Sequence, residues 1–129
     1  GKDIKAILEQ GFDMIGPEQV LTPSQGFLYH VDRSRPIGSR ITGMTLNGRP
    51  IDPKASYRVT TSSFLAKGGD SFTGFTSGRN PIDGPSDIGA LESWLKSAHP
   101  RALPTDIRWI DERPDLSNAD NPAPPGQVY

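Results

Sequence analysis

A chain of 129 residues with a formal net charge of −1 and a sequence pI near 6.1 lacks the basic footprint that holds a polyanionic backbone, so polymeric nucleic acid is set aside as a partner. It contains no cysteine, which excludes disulfides and thiolate metal sites and leaves the compartment open, and no apolar run approaches the roughly 20 residues that span a bilayer. Hydrophobic residues make up only 33%, against 14 glycines and 13 prolines, which predicts a single domain of short strands and many turns, with some of the chain in loop or tail.

In chain order, Ile4, Ile7, Leu8 and Phe12 recur at helical spacing and Gly11 offers a stop, so an amphipathic helix is expected over residues 3–10. The alternation of Phe27-Leu28-Tyr29-His30-Val31 reads as a strand, and Asp32 to Gly38 as a polar turn. Residues 40–46 alternate again, and Asn47-Gly48 accepts positive φ at both turn positions, the clearest hairpin signal in the chain. The return strand is expected late, over 57–62, because Ile51-Asp52-Pro53 interrupts the pattern first.

Ser86 and Asp87 can cap a helix over 87–97, along which Ile88, Leu91, Trp94 and Leu95 follow at spacings of three and four. Residues 106–110 alternate as a last strand. The segment 113–129, rich in Pro, Asp and Asn, has little to bury and is expected to order only by contact. The sum is an α+β fold with a small mixed or antiparallel sheet and two or more helices, in which residues 1–112 form the domain and 113–129 a tail. The opening Gly1-Lys2-Asp3 already lies in a helical pattern, so an upstream signal and domain are expected.

Catalytic signatures are missing. His30 and His99 belong to no HExxH or HxH pattern, which leaves a transition metal without ligands; a strand position for His30 and a helix end for His99 explain both. No GxSxG elbow occurs, so Ser62-Ser63 reads as turn and cap. Lys67-Gly68-Gly69-Asp70 is neither a P-loop nor a dinucleotide fingerprint. The segment that remains is Phe64 to Phe72, FLAKGGDSF, in which Gly68 and Gly69 permit close backbone approach and Asp70 can bond local amides. Packing considerations place Phe64 in the core, while Phe72 divides evenly between the core and a ring that stacks on a planar base.

The order GKDIKAILEQ, SQGFLYHVD, RITGMTLNGRPIDPKASYRVTTSSFLAKGGDSF, DIGALESWL resembles the C-terminal domain of the 5'-nucleotidase family over about Gly1 to Ile110. YRVTTSSFLAKGGDSF is the specific part, joining a strand, the Phe-Leu-Ala step and a Gly-Gly-Asp-x-aromatic loop in one register. That family includes 5'-nucleotidases, UDP-sugar hydrolases and 2',3'-cyclic-nucleotide phosphodiesterases. The resemblance implies an N-terminal metallophosphoesterase domain carrying a divalent metal pair, with a C-terminal domain that holds base and ribose. It implies no catalytic residue, metal or cofactor in this chain, a nucleotide or nucleoside as small-molecule partner, and a periplasmic, secreted or cell-surface location for the parent protein. Phe72 matches the family's base-clamping aromatic, Gly68, Gly69 and Asp70 the loop that positions it, and Phe64 becomes structural.

Three departures from the family pattern bear on the site. The second clamp aromatic is expected just before Thr22-Pro23-Ser24, where Val20, Leu21 and Thr22 are not aromatic, so either Phe27 substitutes or the clamp is one-sided. The acidic residue expected a few positions after Phe72 is replaced by Ser77 and Gly78, with Asp83 a distant candidate. Family arginines and an asparagine that touch ribose and phosphate belong upstream of the first helix. Two other functions stand beside the nucleotide reading: a noncatalytic binding or surface module, and an independent hydrolase.

Overall fold

The computed structural model describes residues 1–13, 17–98, 100 and 102–112; His99 and the tail expected over 113–129 lie outside them. Helix α1 spans Lys2–Gln10 and buries Ile7, Leu8 and Glu9. Gly11 does end it, although not in the left-handed conformation usual for a glycine stop, since its φ is −66°. The requirement is steric: a Cβ there would collide with the Gln19 carbonyl, whose own N–H donates to the Gly11 oxygen at 3.0 Å. The chain leaving the helix is thus folded tightly back against its end.

Strand β1, Phe27–Val31, pairs antiparallel with β2, Ile41–Leu46, placing Tyr29 opposite Met44 and Val31 opposite Ile41, with a bulge after His30. Tyr29 and Val31 alternate onto the face beneath α1, where Leu8, Phe12, Tyr29, Val31 and Ile41 form the core, edged by Ile4, Val20, Leu21, Phe27, Met44 and Trp109. Phe12 meets Tyr29 edge-on, with ring centroids 6.4 Å apart. The Tyr29 hydroxyl donates to the Leu21 carbonyl at 2.9 Å, and burial lifts this phenol above its ordinary value while the Arg33 charge pulls it down. Buried Glu9 joins helix to hairpin, its carboxylate accepting from the Arg40 N–H at 2.9 Å and the Ile41 N–H at 2.8 Å.

The return strand is not delayed. Asn47 and Gly48, at φ 50° and 75°, turn the chain straight into β3, Arg49–Pro50, antiparallel to β2. Pro50 faces Thr45 at a non-hydrogen-bonded position, where its missing N–H lies on the open edge, and the bonding to β2 extends to the Ile51 N–H, which donates to the Met44 carbonyl at 3.0 Å. The strand expected over 57–62 does not form, because its alternating residues find no ladder partner and Arg58, Val59 and Thr60 are exposed.

The last strand, expected over 106–110, is β4, Trp109–Asp111, parallel to β1 with Trp109 opposite Tyr29. Just before it, the Arg108 carbonyl already accepts from the Tyr29 N–H at 3.3 Å, while its guanidinium pairs with Asp106 at 2.9 Å and donates to the Pro23 carbonyl at 3.1 Å. The sheet runs β3-β2-β1-β4 and is therefore mixed. Arg33 closes the β4 side, pairing with Glu18 and Asp111 while its guanidinium carbon lies 5.4 Å from the Phe12 ring centre and 5.8 Å from that of Trp109. Two further helices, α2 over Ser63–Ala66 and α3 over Asp87–Lys96, complete the α+β architecture. Ser86 caps α3, accepting from the Gly89 N–H at 3.1 Å, yet Ile88, Leu91, Trp94 and Leu95 are all exposed rather than packed on the core.

Candidate functional site

The segment from Ser62 to Ser77 brings three positive-φ residues, Gly68, Asp70 and Ser71, close together. The Ser62 hydroxyl caps α2 by accepting from the Leu65 N–H at 3.2 Å. The helix lasts a single turn, after which Gly68 at φ 84°, Asp70 at φ 50° and Ser71 at φ 64° occupy left-handed conformations. For Asp70 and Ser71 that conformation costs about 1–3 kcal/mol each, so the surroundings must hold it in place.

Phe64 and Phe72 are the two rings that flank these residues in the chain. The Phe64 ring lies on Gly69, where a Cβ would sit 2.5 Å from the ring edge, so Gly69 is required for the contact. Phe72 turns inward and is 1% exposed, its ring centre 6.3 Å from that of Phe75 at a tilt of 59°. Phe64, in contrast, is 57% exposed. The two rings have therefore exchanged the exposures expected of them: Phe72 is the packed ring, and Phe64 offers an open face. The left-handed residues Asp70 and Ser71 lie between Gly69, against which Phe64 rests, and the buried Phe72.

Asp70 and Phe72 border a groove of about 460 Å³, walled by Ser62, Phe64 and Leu65 on one side and by Gln19, Val20 and Leu21 on the other. A volume of this size suits a small molecule, which typically needs about 300–1,000 Å³. Asp70 is exposed, and among the described residues none bonds its carboxylate. Gly68 and Gly69 shape the loop beneath. Phe27 is not brought to the groove; it packs on the core as the first residue of β1, so the wall facing Phe64 is aliphatic rather than aromatic. Asp83 is likewise not among the lining residues.

Sequence reasoning missed Phe64 as an accessible ring; it did single out Val20 and Leu21 as the non-aromatic place of the second clamp residue, and the groove wall of Gln19, Val20 and Leu21 falls there. Gly11 supports that wall, since its missing side chain admits the backbone of Gln19.

A second hollow, about 370 Å³, lies along β2 and β3 and is lined by Lys5, His30 and Thr42 among others. Here His30 Nδ1 and Glu112 Oε1 stand 2.9 Å apart, and the Thr42 hydroxyl donates to Glu112 Oε2 at 2.7 Å. This chain of bonds ties the residue after β4 to β1 and β2. Among the described residues no group of three or more His, Asp or Glu could hold a metal ion, and no helix is long and apolar enough to cross a membrane.

Comparison with known proteins agrees with the fold. Endonuclease YhcR of Bacillus subtilis (strain 168) is 30% identical over 100 residues, a stretch covering 75% of this chain and 8% of that protein. The crystal structure of the 5'-nucleotidase precursor from Thermus thermophilus superimposes with a TM-score of 0.71 at 29% identity, over 88% of this chain and 24% of that one. The chain thus corresponds to a small part of each of these larger proteins. The family model described as 5'-nucleotidase, C-terminal domain, matches residues 1–77, from α1 through the groove loop. The chain belongs to the 5'-nucleotidase C-terminal domain family.

Proposed function

We propose that this chain is a nucleotide-recognition domain, holding base and ribose for phosphoester hydrolysis carried out by a metal-dependent domain outside it. The observation that carries the reading is the Phe64 ring, open to solvent beside the unbonded Asp70 carboxylate in one groove of the family loop. A planar base would stack on Phe64, with Val20 and Leu21 closing the other side, and Asp70 would accept hydrogen bonds from ribose hydroxyls. Phe72 serves beneath as the anchor of the loop, with Gly68 and Gly69 setting its path. Among the described residues no group of three or more His, Cys, Asp or Glu could hold a metal ion, and the reading assigns hydrolysis to the metal-dependent domain outside this chain. The metal pair, the metallophosphoesterase domain and an exported, periplasmic or cell-surface setting belong to the same proposal for the parent protein.

Titration calorimetry of the chain with AMP and with adenosine tests this. Saturable heat is expected with both, and Phe64→Ala should weaken binding by about 1–3 kcal/mol, the worth of one base–aromatic stack. No saturable heat for the unaltered chain would defeat the reading and favour a noncatalytic binding or surface module. The aliphatic wall opposite Phe64, which leaves no second ring for a clamp, is the observation on that side.

A further inference from the structure

We infer that Gln10, the last residue of α1, is a positioning residue that holds the groove loop in its binding shape. The inference rests on the nucleotide-recognition reading and extends it to a side chain outside the groove. Gln10 Nε2 donates to the Thr73 hydroxyl oxygen at 2.8 Å, and Gln10 Oε1 accepts from the Gly74 N–H at 2.9 Å. A backbone N–H can only donate, which fixes the amide orientation: the oxygen faces Gly74 and the nitrogen faces Thr73. Both ends of one side chain are therefore committed to the two residues that follow Phe72.

Gly74 confirms how closely the loop is pressed to the helix, since a Cβ there would stand 2.6 Å from Ile7 Cγ1 and 3.0 Å from Gln10 Oε1. The contact continues toward the groove. A Cβ on left-handed Gly68 would lie 3.6 Å from the Thr73 Cα and 3.4 Å from the Thr76 methyl, so the Thr73 turn is the bed on which Gly68 rests. Gly68 opens the short turn carrying Asp70, and Gly69 supports Phe64. The strained residues Asp70 and Ser71 thus lie between a ring anchored at Phe72 and a turn bracketed by Gln10. Gln10 itself is half-buried and outside the hydrophobic core, so its loss should loosen the loop without unfolding the sheet.

The test compares Gln10→Ala, Gln10→Met, Gln10→Glu and Thr73→Val in the full chain by AMP calorimetry, thermal melting and amide hydrogen exchange. Gln10→Met keeps bulk but no hydrogen bond; it and Gln10→Ala should weaken AMP binding about tenfold, as expected for two net hydrogen bonds. Exchange at the Asp70 to Gly74 amides should quicken far more than at the Tyr29 and Ile41 amides, and the melting temperature should fall by only a few degrees. Gln10→Glu should restore binding and exchange, because a carboxylate still accepts from Gly74 and the Thr73 hydroxyl can turn to donate to it. Thr73→Val, which removes the bond from the loop side, should reproduce part of the loss. Full binding and unaltered loop exchange in Gln10→Met would overturn the inference, since packing alone would then suffice. If the unaltered chain gives no heat with AMP, the recognition reading fails, and the exchange measurements still decide whether Gln10 orders the loop.

Discussion

Asp70 and Ser71 carry positive φ back to back, which side-chain-bearing residues rarely do, and the energy stored there is set against the burial of Phe72. Phe72→Ala should therefore cost about 3–5 kcal/mol of stability, the usual toll for emptying an aromatic core position. Ser71→Gly should be neutral or stabilising by up to about 1 kcal/mol, since glycine enters the left-handed region freely but loses more chain entropy. Urea unfolding of both variants checks the pair; a loss below about 1 kcal/mol for Phe72→Ala would mean that its ring is not a core element there. At this scale the sequence disclosed the residue types of the loop, including both glycines and both rings. It did not disclose which ring was buried, since both are phenylalanines and the left-handed residues Asp70 and Ser71 between them are not announced by a glycine.

Among the elements, the Asn47-Gly48 turn was legible because its chemistry is local: both positions need positive φ, and these residue types supply it cheaply. Gly48→Val should destabilise the chain by about 1–2 kcal/mol in the same urea experiment, through the left-handed penalty on a β-branched residue. Helix α1, strand β1 and the Ser86 cap of α3 were legible for comparable reasons of periodicity and capping. Tyr57 to Thr61 shows where such reasoning stops. Alternation marks a segment able to join a sheet, but the place beside β2 is already taken by Arg49 and Pro50, and nothing within the five residues records that. The start of β4 at Trp109 was likewise not marked by the alternation of residues 106–110. The apolar stripe of α3 was visible in the sequence; its exposure is a tertiary fact.

For the whole molecule, the charge pairs around the sheet make stability depend on acid. The Asp32 carboxyl is held below its ordinary value by bonds from the Ser34 hydroxyl and N–H and from Arg35, and Asp106 is held down chiefly by its bond with Arg108. Groups depressed in the folded state contribute stability above the ordinary carboxylate range, and that contribution is lost as pH falls through their folded values. Melting temperatures followed from pH 6 down to about 2.5 should decline, and the decline should be shallower in Asp32→Asn and Asp106→Asn, with an equal slope in these variants counting against both assignments. The mixed topology has a consequence in time. Strand β4 lies beside β1 although most of the chain separates them, and Arg108, just before β4, grips the Pro23 carbonyl next to the wall formed by Gln19 to Leu21. Contacts closed over such a span carry a larger loop-closure cost than local ones and slow folding. The helix and hairpin rest on more local contacts than the β1–β4 pair, whereas one wall of the groove is fastened through Arg108 only when β4 is docked, so on the proposed reading nucleotide binding is expected to depend on that docking.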